Sequence, residues 1–127
     1  MNDQAHIQIR VLSVDDHPLM REGIARIIND EPDMAIIAQA ASGAEAIRQF
    51  RQHRPDVTLL DLRLPDMSGI DVLIALRAEF CDAKVLVLTT ATGDVEIQRA
   101  LKAGARGYIL KSMSPPEMTE AIRQVYH

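Results

Sequence analysis

The sequence predicts an α/β domain in which a parallel, doubly wound sheet is covered by helices on both faces. Three observations support this prediction: strand-like apolar runs alternate with amphipathic helical segments, several runs are almost continuous in Val, Ile and Leu, and Pro or Gly residues separate many of the segments. The chain of 127 residues suits one compact domain.

Five segments have a strand-like apolar pattern, and several of them are continuous enough for strands that are buried on both faces. They are residues 7–14, 34–40, 57–62, 84–89 and 107–110. Five strands that alternate with five helices favour the flavodoxin-like strand order 2-1-3-4-5, the common five-stranded solution. In such sheets ligands bind beyond the carboxyl ends of the strands, near the point where the strand order reverses.

The helical segments between the strands have recognisable ends. Pro32 and Pro55 end the first two, and Gly104 is a candidate cap for the fourth, over residues 95–103. Three helix starts carry a serine followed three residues later by an acid, as in a capping box: Ser42 with Glu45, Ser68 with Asp71, and Ser114 with Glu117.

Composition excludes several classes of function. The net charge of −4, with basic residues scattered among acids, argues against a nucleic-acid interface on this segment. The single cysteine, Cys81, excludes an internal disulfide and a cysteine-based zinc cluster. Neither a signal peptide nor an apolar stretch of membrane-spanning length is present, so we expect a cytoplasmic protein without membrane partners.

Chemically active residue types occur where the predicted strands end. The first strand is followed by two acids, the third ends near an acid, the fourth ends in two hydroxyls, and the fifth is followed by an amine: Asp15, Asp16, Asp61, Thr89, Thr90 and Lys111. A lone Asp after a strand often only caps a turn. The parallel sheet, however, would bring all four segments to one edge, which favours a functional site.

Three carboxylates at one edge need a counter-charge. At about 5 Å they repel by roughly 3 kcal/mol per pair at an effective dielectric near 20, so a divalent cation or a proton must relieve the cluster. Magnesium suits an all-oxygen set that also meets phosphate. A carboxylate beside that ion can attack phosphorus and form an aspartyl phosphate.

Four runs in the chain together resemble the receiver domains of bacterial response regulators. They are Val-Asp-Asp-His-Pro at 14–18, Leu-Asp-Leu-Arg-Leu-Pro-Asp-Met-Ser-Gly at 60–69, Leu-Thr-Thr at 88–90, and Ala-Gly-Ala-Arg-Gly-Tyr-Ile-Leu-Lys at 103–111. The resemblance covers essentially the whole chain in order. The first and last runs are similar to the NarL/FixJ (LuxR-type) subgroup.

The resemblance implies a role for each matching position. Asp61 matches the phosphoacceptor, Asp15 and Asp16 match the acidic pair that holds Mg²⁺ (or Mn²⁺) with Asp61, and the Arg63 carbonyl matches a backbone ligand of that ion. The remaining matches concern the phosphate and the switch: Lys111 binds the phosphate, Thr89 is the switch hydroxyl and Tyr108 the switch aromatic. Pro65 and Gly69 match the turn after the phosphoacceptor.

The resemblance also implies partners and an output. The expected donor is a cognate sensor histidine kinase, and the domain promotes its own phosphotransfer and dephosphorylation without being an enzyme in the usual sense. A phosphorylation-dependent homodimer and a DNA-binding helix-turn-helix domain after the receiver are expected in the family. Because the receiver occupies residues 1–127 and no such module follows, we expect either an excised receiver, which we favour, or a stand-alone one.

Alternative functions can be weighed on the same residues. A haloacid dehalogenase-type phosphatase would normally show an Asp-x-Asp pattern after its first strand, and a nucleotide-binding domain needs a glycine-rich phosphate loop. Neither pattern occurs here. A pseudo-receiver that is not phosphorylated and serves as a protein-interaction module remains the structural alternative, although the intact acid set argues against it.

Two positions depart from the family or invite a second interpretation. Ser112 stands where many receivers have a cis-proline, so we expect a trans bond after Lys111 and a different loop path. His17 follows the acidic pair, and we favour a solvent-facing or hydrogen-bonding role over a catalytic or metal-binding one.

The lifetime of the aspartyl phosphate would depend on the side chains beside the water that attacks it. Arg63 and Ala91, two positions beyond Asp61 and Thr89, are candidates to flank that water.

Overall fold

The structure, a computed structural model, describes residues 8–90 and 95–127. Its elements alternate between strand and helix along the chain. They are β1 (Ile9–Val14), α1 (Pro18–Asn29), β2 (Met34–Ala40), α2 (Gly43–His53), β3 (Val57–Asp61), α3 (Gly69–Glu79), β4 (Val85–Thr89), α4 (Val95–Lys102), β5 (Gly107–Leu110) and α5 (Pro115–Tyr126).

All five strands are parallel and lie in the order β2-β1-β3-β4-β5. The predicted order is therefore confirmed. The order reverses at β1, whose two neighbours are β2 and β3. The carboxyl ends of β1 and β3 are thus adjacent, and β4 lies on the other side of β3. This arrangement creates the crevice in which ligands of such sheets bind.

The sheet separates two hydrophobic cores, one on each face. Alternate strand residues such as Val11 and Leu59 point towards α1 and α5, where Ile24 and Ile122 complete the core. The intervening residues point towards α2, α3 and α4, and their core partners include Phe50, Leu73 and Ala100. Because both faces are covered, the strands carry apolar side chains at nearly every position, which explains their continuous Val, Ile and Leu runs.

Where they fall within the described residues, the predicted strand boundaries agree with the structure to within one residue. The sequence predicts that the third strand ends at Leu62, one residue after the end of β3, and that the fourth begins at Lys84, one residue before β4. The predicted first residue of the first strand, position 7, lies outside the described residues. Helix α4 ends at Lys102, and Gly104 adopts a φ of 111°, a conformation that favours glycine. The Ala105 amide donates to the Ala100 carbonyl, so the predicted glycine cap has the bonding of a Schellman motif.

Serine caps begin three of the helices, as the sequence predicts. Ser114 and Glu117 form a complete capping box at α5. At α2 the Ser42 hydroxyl accepts from the Glu45 amide, but the Glu45 carboxylate accepts from the Ala41 amide and not from that of Ser42. The third cap is Ser68, whose hydroxyl accepts from the Ile70 amide rather than from the Asp71 amide.

The loop between β3 and α3 is held close to the end of β3. The Gly69 amide donates to the Leu62 carbonyl at 2.9 Å. A Cβ at position 69 would lie 2.4 Å from the Asp61 carbonyl oxygen and 2.6 Å from the Leu62 Cα. Glycine is therefore required here by a close backbone approach. Within residues 8–90 and 95–127, none of the helices has the length and apolar character that crossing a membrane requires.

Candidate functional site

The sheet brings the chemically active residues of three strand ends within contact distance. Asp15 follows β1, Asp61 is the last residue of β3, and Lys111 follows β5. The Lys111 ammonium Nζ lies 3.0 Å from Asp61 Oδ2 and 3.6 Å from Asp15 Oδ2. Asp61 and Lys111 are 50 positions apart in sequence, so only the fold creates this contact.

The Asp61 carboxylate is held at both of its oxygens. Oδ1 accepts from the Arg63 amide at 3.0 Å, and Oδ2 accepts from Lys111. The side chain is only 5% exposed, and that of Lys111 is 16% exposed. A largely buried carboxylate with a charged partner is oriented but still reachable from the cleft described below.

The Asp15 carboxylate is fully buried: its Oδ1 accepts hydrogen bonds, whereas its Oδ2 faces the Lys111 ammonium at 3.6 Å. Its Oδ1 accepts from the His17 amide at 2.9 Å and lies 2.8 Å from His17 Nδ1, while the Arg21 guanidinium donates to the Asp15 carbonyl at 2.6 Å. Its Oδ2 makes no hydrogen bond. A buried oxygen without a hydrogen bond is costly unless a charge such as a cation compensates it.

The acidic cluster fits a divalent cation. Asp16 Oδ1 is the second buried carboxylate oxygen without a hydrogen bond, although its side chain is 34% exposed overall. One ligand atom from each of Asp15, Asp16, His17 and Asp61 lies within 4.8 Å of the others. Hard oxygen donors of this kind are what Mg²⁺ and Mn²⁺ prefer. This cluster of acids could therefore bind a metal ion.

His17 has the exposed, hydrogen-bonding position that the sequence favoured. Its side chain is 65% exposed, and its Nδ1 lies 3.2 Å from Asp16 Oδ1 as well as against Asp15. The hydrogen bond to the Asp15 carboxylate and the charges of both carboxylates raise the pKa of the imidazole above its ordinary value. The same contacts place His17 among the candidate metal donors.

A cleft of about 190 Å³ opens above Asp61. Its lining brings together side chains from strand ends, from the segments that follow them and from α4: His17, Asp61, Arg63, Thr89, Glu96 and Lys111. The Arg63 guanidinium lies 3.5 Å from the Glu96 carboxylate. A small anion of phosphoryl size fits a cleft of this volume.

The predicted switch residues lie on β4 and β5. Thr89 ends β4 opposite Leu110, and its carbonyl accepts from the Lys111 amide at 2.8 Å. Thr90 is more exposed and also lines the cleft. Tyr108 is paired with Val87 and is 38% exposed. The described residues contain no cis peptide bond, so the bond between Lys111 and Ser112 is trans, as expected. Ala91, the other residue predicted to flank the attacking water, lies outside the described residues.

Sequence reasoning missed three residues that shape this edge of the sheet. Glu96 reaches the cleft from α4, and Arg21 binds the Asp15 carbonyl from α1. Asp66 accepts from the Gly43 and Ala44 amides and so caps α2 from a distant loop. These hydrogen bonds lower the Asp66 pKa. No local pattern distinguishes these residues from other surface charges, because their partners are distant in sequence or set by helix orientation.

Comparisons with known proteins show the family to which the chain belongs. Residues 11–123 match the response regulator receiver domain family. A nitrate/nitrite response regulator homologue from Haemophilus influenzae is 40% identical over 118 residues, which are 93% of this chain and 57% of that protein. The chain thus spans little more than half the length of the curated relatives it matches.

Solved structures show the same fold. A LuxR-family response regulator from Aurantimonas sp. SI85-9A1 superposes with a TM-score of 0.89 at 38% identity, covering 94% of this chain and 85% of that one. CheY in a CheX–CheY–BeF₃–Mg²⁺ complex from Borrelia burgdorferi superposes with a TM-score of 0.90 at 25% identity, covering 100% and 96%. The strand-end acids, the lysine and these matches identify the chain as a receiver domain of the two-component response regulators, similar in sequence to members of the LuxR family.

Proposed function

We propose that Asp61 accepts a phosphoryl group in a reaction that depends on Mg²⁺ or Mn²⁺. The observation that carries the proposal is the contact of Asp61 with Lys111 beside two carboxylate oxygens that make no hydrogen bond. An acid nucleophile, a fixed cation and a set of free oxygen donors are the parts that phosphoryl transfer to a carboxylate needs.

The metal donors in this proposal are the carboxylates of Asp15, Asp16 and Asp61 and the carbonyl of Arg63. When bound, the ion would neutralise the carboxylates and part of the charge on the phosphoryl oxygens. The buried, unbonded oxygens of Asp15 and Asp16 support this assignment. CheY from Borrelia burgdorferi was solved with BeF₃ and Mg²⁺, which is in keeping with the same chemistry.

The proposed transfer step assigns a role to each of these protein groups. An Asp61 oxygen forms a bond to phosphorus while the bond from phosphorus to the donor nitrogen breaks, and the leaving imidazole takes up a proton. Lys111 remains beside the site and binds one phosphoryl oxygen through its ammonium group. The Thr89 hydroxyl donates to another oxygen. In dephosphorylation, a water oxygen forms a bond to phosphorus while the bond from phosphorus to the Asp61 oxygen breaks, which releases phosphate and the Asp61 carboxylate, and the side chain of Arg63 would flank the approach of the water.

We infer the phosphoryl donor and the location of this domain from its family. Response regulators of this family interact with sensor kinases. The phosphoryl donor of this domain would be the phosphohistidine of a cognate sensor kinase in the cytoplasm, and small acyl phosphates would substitute for it in vitro. The domain acts as a signalling phosphoacceptor that promotes its own phosphorylation and dephosphorylation.

The output would depend on a shift between two arrangements of β4, β5 and the adjoining helices. In this proposal the phosphate draws Thr89 inwards, and Tyr108 turns into the vacated space. A shift from 1:99 to 99:1 requires about 5.5 kcal/mol of differential stabilisation, which charge-assisted bonds to a dianion can supply. The switched form would homodimerise and control DNA binding through a C-terminal helix-turn-helix domain outside residues 1–127.

The decisive experiment is mass spectrometry of the intact protein after incubation with acetyl phosphate and Mg²⁺. We expect one phosphoryl adduct on wild type, none on Asp61→Asn and none when EDTA removes the metal. Asp82→Asn, which changes an exposed acid in a turn, is the matched control and should retain the adduct. No adduct from either acetyl phosphate or a phosphorylated kinase would favour the pseudo-receiver instead.

A further inference from the structure

The imidazole of His17 lies inside the acidic cluster at distances suited to coordination. Its Nδ1 is 2.8 Å from Asp15 Oδ1 and 3.2 Å from Asp16 Oδ1. Adjacent donors around an ion with bonds of about 2.1 Å are about 3.0 Å apart. The nitrogen therefore stands at the same spacing from the two oxygens as three neighbouring ligands of one ion.

From this arrangement we propose that His17 is a ligand for borderline divalent transition ions such as Co²⁺ and Zn²⁺, which it binds together with Asp15 and Asp16. Imidazole nitrogen suits these ions, whereas Mg²⁺ takes oxygen donors and retains water. His17 thus determines the metal selectivity of the site. The inference rests on the proposed function only in placing a divalent cation among the same carboxylates.

Two features of the site allow His17 to coordinate without a change of fold. The carboxylate of Asp15 is fully buried, and its Oδ2 lies 3.6 Å from the Lys111 ammonium without forming a hydrogen bond, so this carboxylate retains acceptor capacity for an ion. The imidazole is 65% exposed, so its remaining nitrogen can carry the ring proton towards solvent while Nδ1 binds the ion. The hydrogen bond between Nδ1 and Asp15 Oδ1 is then replaced by two bonds to one ion.

Lys111 and Asp61 are on the other side of the cluster. Lys111 Nζ is 3.0 Å from Asp61 Oδ2 and 3.6 Å from Asp15 Oδ2. A transition ion bound by His17 would lie towards the start of α1, and it would share Asp15 and Asp16 with Mg²⁺. The two kinds of ion therefore compete for the site.

The test measures the affinities of Co²⁺ and Mg²⁺ by isothermal titration in wild type and His17→Asn. Asparagine places an amide near the position of Nδ1 and preserves a donor to Asp15 but supplies no imidazole. Removing a residue that only orients a metal ligand already costs about 10–100-fold in metal affinity. Because His17 is proposed as a ligand of Co²⁺ and not of Mg²⁺, we expect the ratio of Co²⁺ to Mg²⁺ affinity to fall at least about tenfold. His53→Asn, which removes an imidazole at the end of the sheet where the strands begin, should keep the wild-type ratio of affinities.

A direct signature comes from proton NMR of the Co²⁺ form. A coordinated imidazole gives a strongly shifted ring N–H resonance, which we expect in wild type and His53→Asn but not in His17→Asn. Circular dichroism in EDTA confirms that each variant is folded, as the exposure of His17 predicts.

Three results would overturn the inference: an unchanged affinity ratio in His17→Asn, a parallel fall in both affinities, or a shifted ring proton that persists in that variant. The parallel fall would mean that His17 only positions Asp15. The proposed function is tested separately, by whether mass spectrometry detects a phosphoryl adduct on Asp61. If that adduct were absent while His17→Asn still lowered the ratio of Co²⁺ to Mg²⁺ affinity, phosphorylation would be rejected and His17 would be supported as a ligand.

Discussion

Lys111 and Asp61 form an ion pair of 3.0 Å that joins the end of β5 to the end of β3 across β4. The pair is mostly buried, and Lys111 also approaches Asp15 Oδ2. It gives the acidic edge one fixed positive charge, and it places that charge where a phosphoryl group on Asp61 would lie.

Replacing Lys111 by alanine should slow phosphorylation of Asp61. The variant loses the ammonium that would bind a phosphoryl oxygen, and loss of one such positioned donor costs about 10²–10³ in rate. We expect the adduct to form at least about 100-fold more slowly in a mass-spectrometric time course with acetyl phosphate. Lys102→Ala, which removes an exposed lysine of α4, should match wild type. Equal rates in Lys111→Ala and wild type would refute the assigned role.

Asp16→Asn should stabilise the metal-free protein while weakening its response to Mg²⁺. Neutralising one carboxylate relieves repulsion from Asp15 and Asp61, and because Asp16 is 34% exposed we expect only about 1 kcal/mol. Urea unfolding in EDTA measures the gain, and the Mg²⁺-induced rise in melting temperature should shrink. Asp82→Asn serves as the comparison, with little change in either quantity. A less stable variant in EDTA would show that the carboxylates do not repel one another appreciably.

Gly69→Ala should destabilise the fold because the added Cβ meets backbone atoms. Contacts of 2.4 Å and 2.6 Å to Asp61 and Leu62 force the loop to move, for which we expect about 2–4 kcal/mol. Gly23→Ala is the matched control: it lies within α1, and apart from its chain neighbours and the adjacent backbone of that helix, no described atom lies within 4 Å of its added Cβ. That variant should be more stable by about 0.5–1 kcal/mol. Chemical denaturation of both proteins tests the contrast, which would fail if the two changed stability equally.

Thr89→Ala should separate phosphorylation from its output. The variant keeps Asp61 and Lys111 and should still form the adduct, but it lacks the hydroxyl that is proposed to draw β4 towards the phosphate. Size-exclusion chromatography with light scattering should show less phosphorylation-dependent dimer than wild type. Thr90→Ala tests which hydroxyl of the pair acts and should dimerise normally. A phosphorylated Thr89→Ala protein that dimerises like wild type would contradict the switch.

Arg123 should make stability depend on acid pH through Asp33. Its guanidinium donates to both Asp33 oxygens, at 2.7 Å and 3.0 Å, and these bonds lower the Asp33 pKa from its ordinary value of 3.8. A carboxyl with a lowered pKa in the folded state contributes stability above its unfolded pKa and loses it as the pH falls through the folded one.

The expected effect is modest because Asp33 is 42% exposed. Arg123→Met should cost about 1 kcal/mol at pH 7, and the difference from wild type should shrink below about pH 4. Urea titrations at several pH values measure this, with Arg48→Met, an exposed arginine of α2, as control. A difference that stays constant down to the lowest pH would show that Asp33 is not the titrating partner.

Much of the fold was predictable because local and global signals agree. Buried parallel strands require apolar residues at nearly every position, so the runs around Val11, Leu59 and Val87 identified their strands. Capping serines such as Ser114 identified helix starts to within a residue. By contrast, Asp66 caps α2 from 23 positions away, and nothing in its neighbourhood predicts which amides it meets.

The sequence alone determined which chemical groups end each strand and, through the alternation of strands and helices, that these groups share one edge of the sheet. Only the tertiary structure decided which atoms pair there. Lys111 binds Asp61, and His17 binds Asp15 Oδ1, which leaves Asp15 Oδ2 without a hydrogen bond. Periodicity specifies which face a side chain takes, but pairing depends on distances of a few tenths of an ångström, which the strand register and the packing of helices on the sheet set together.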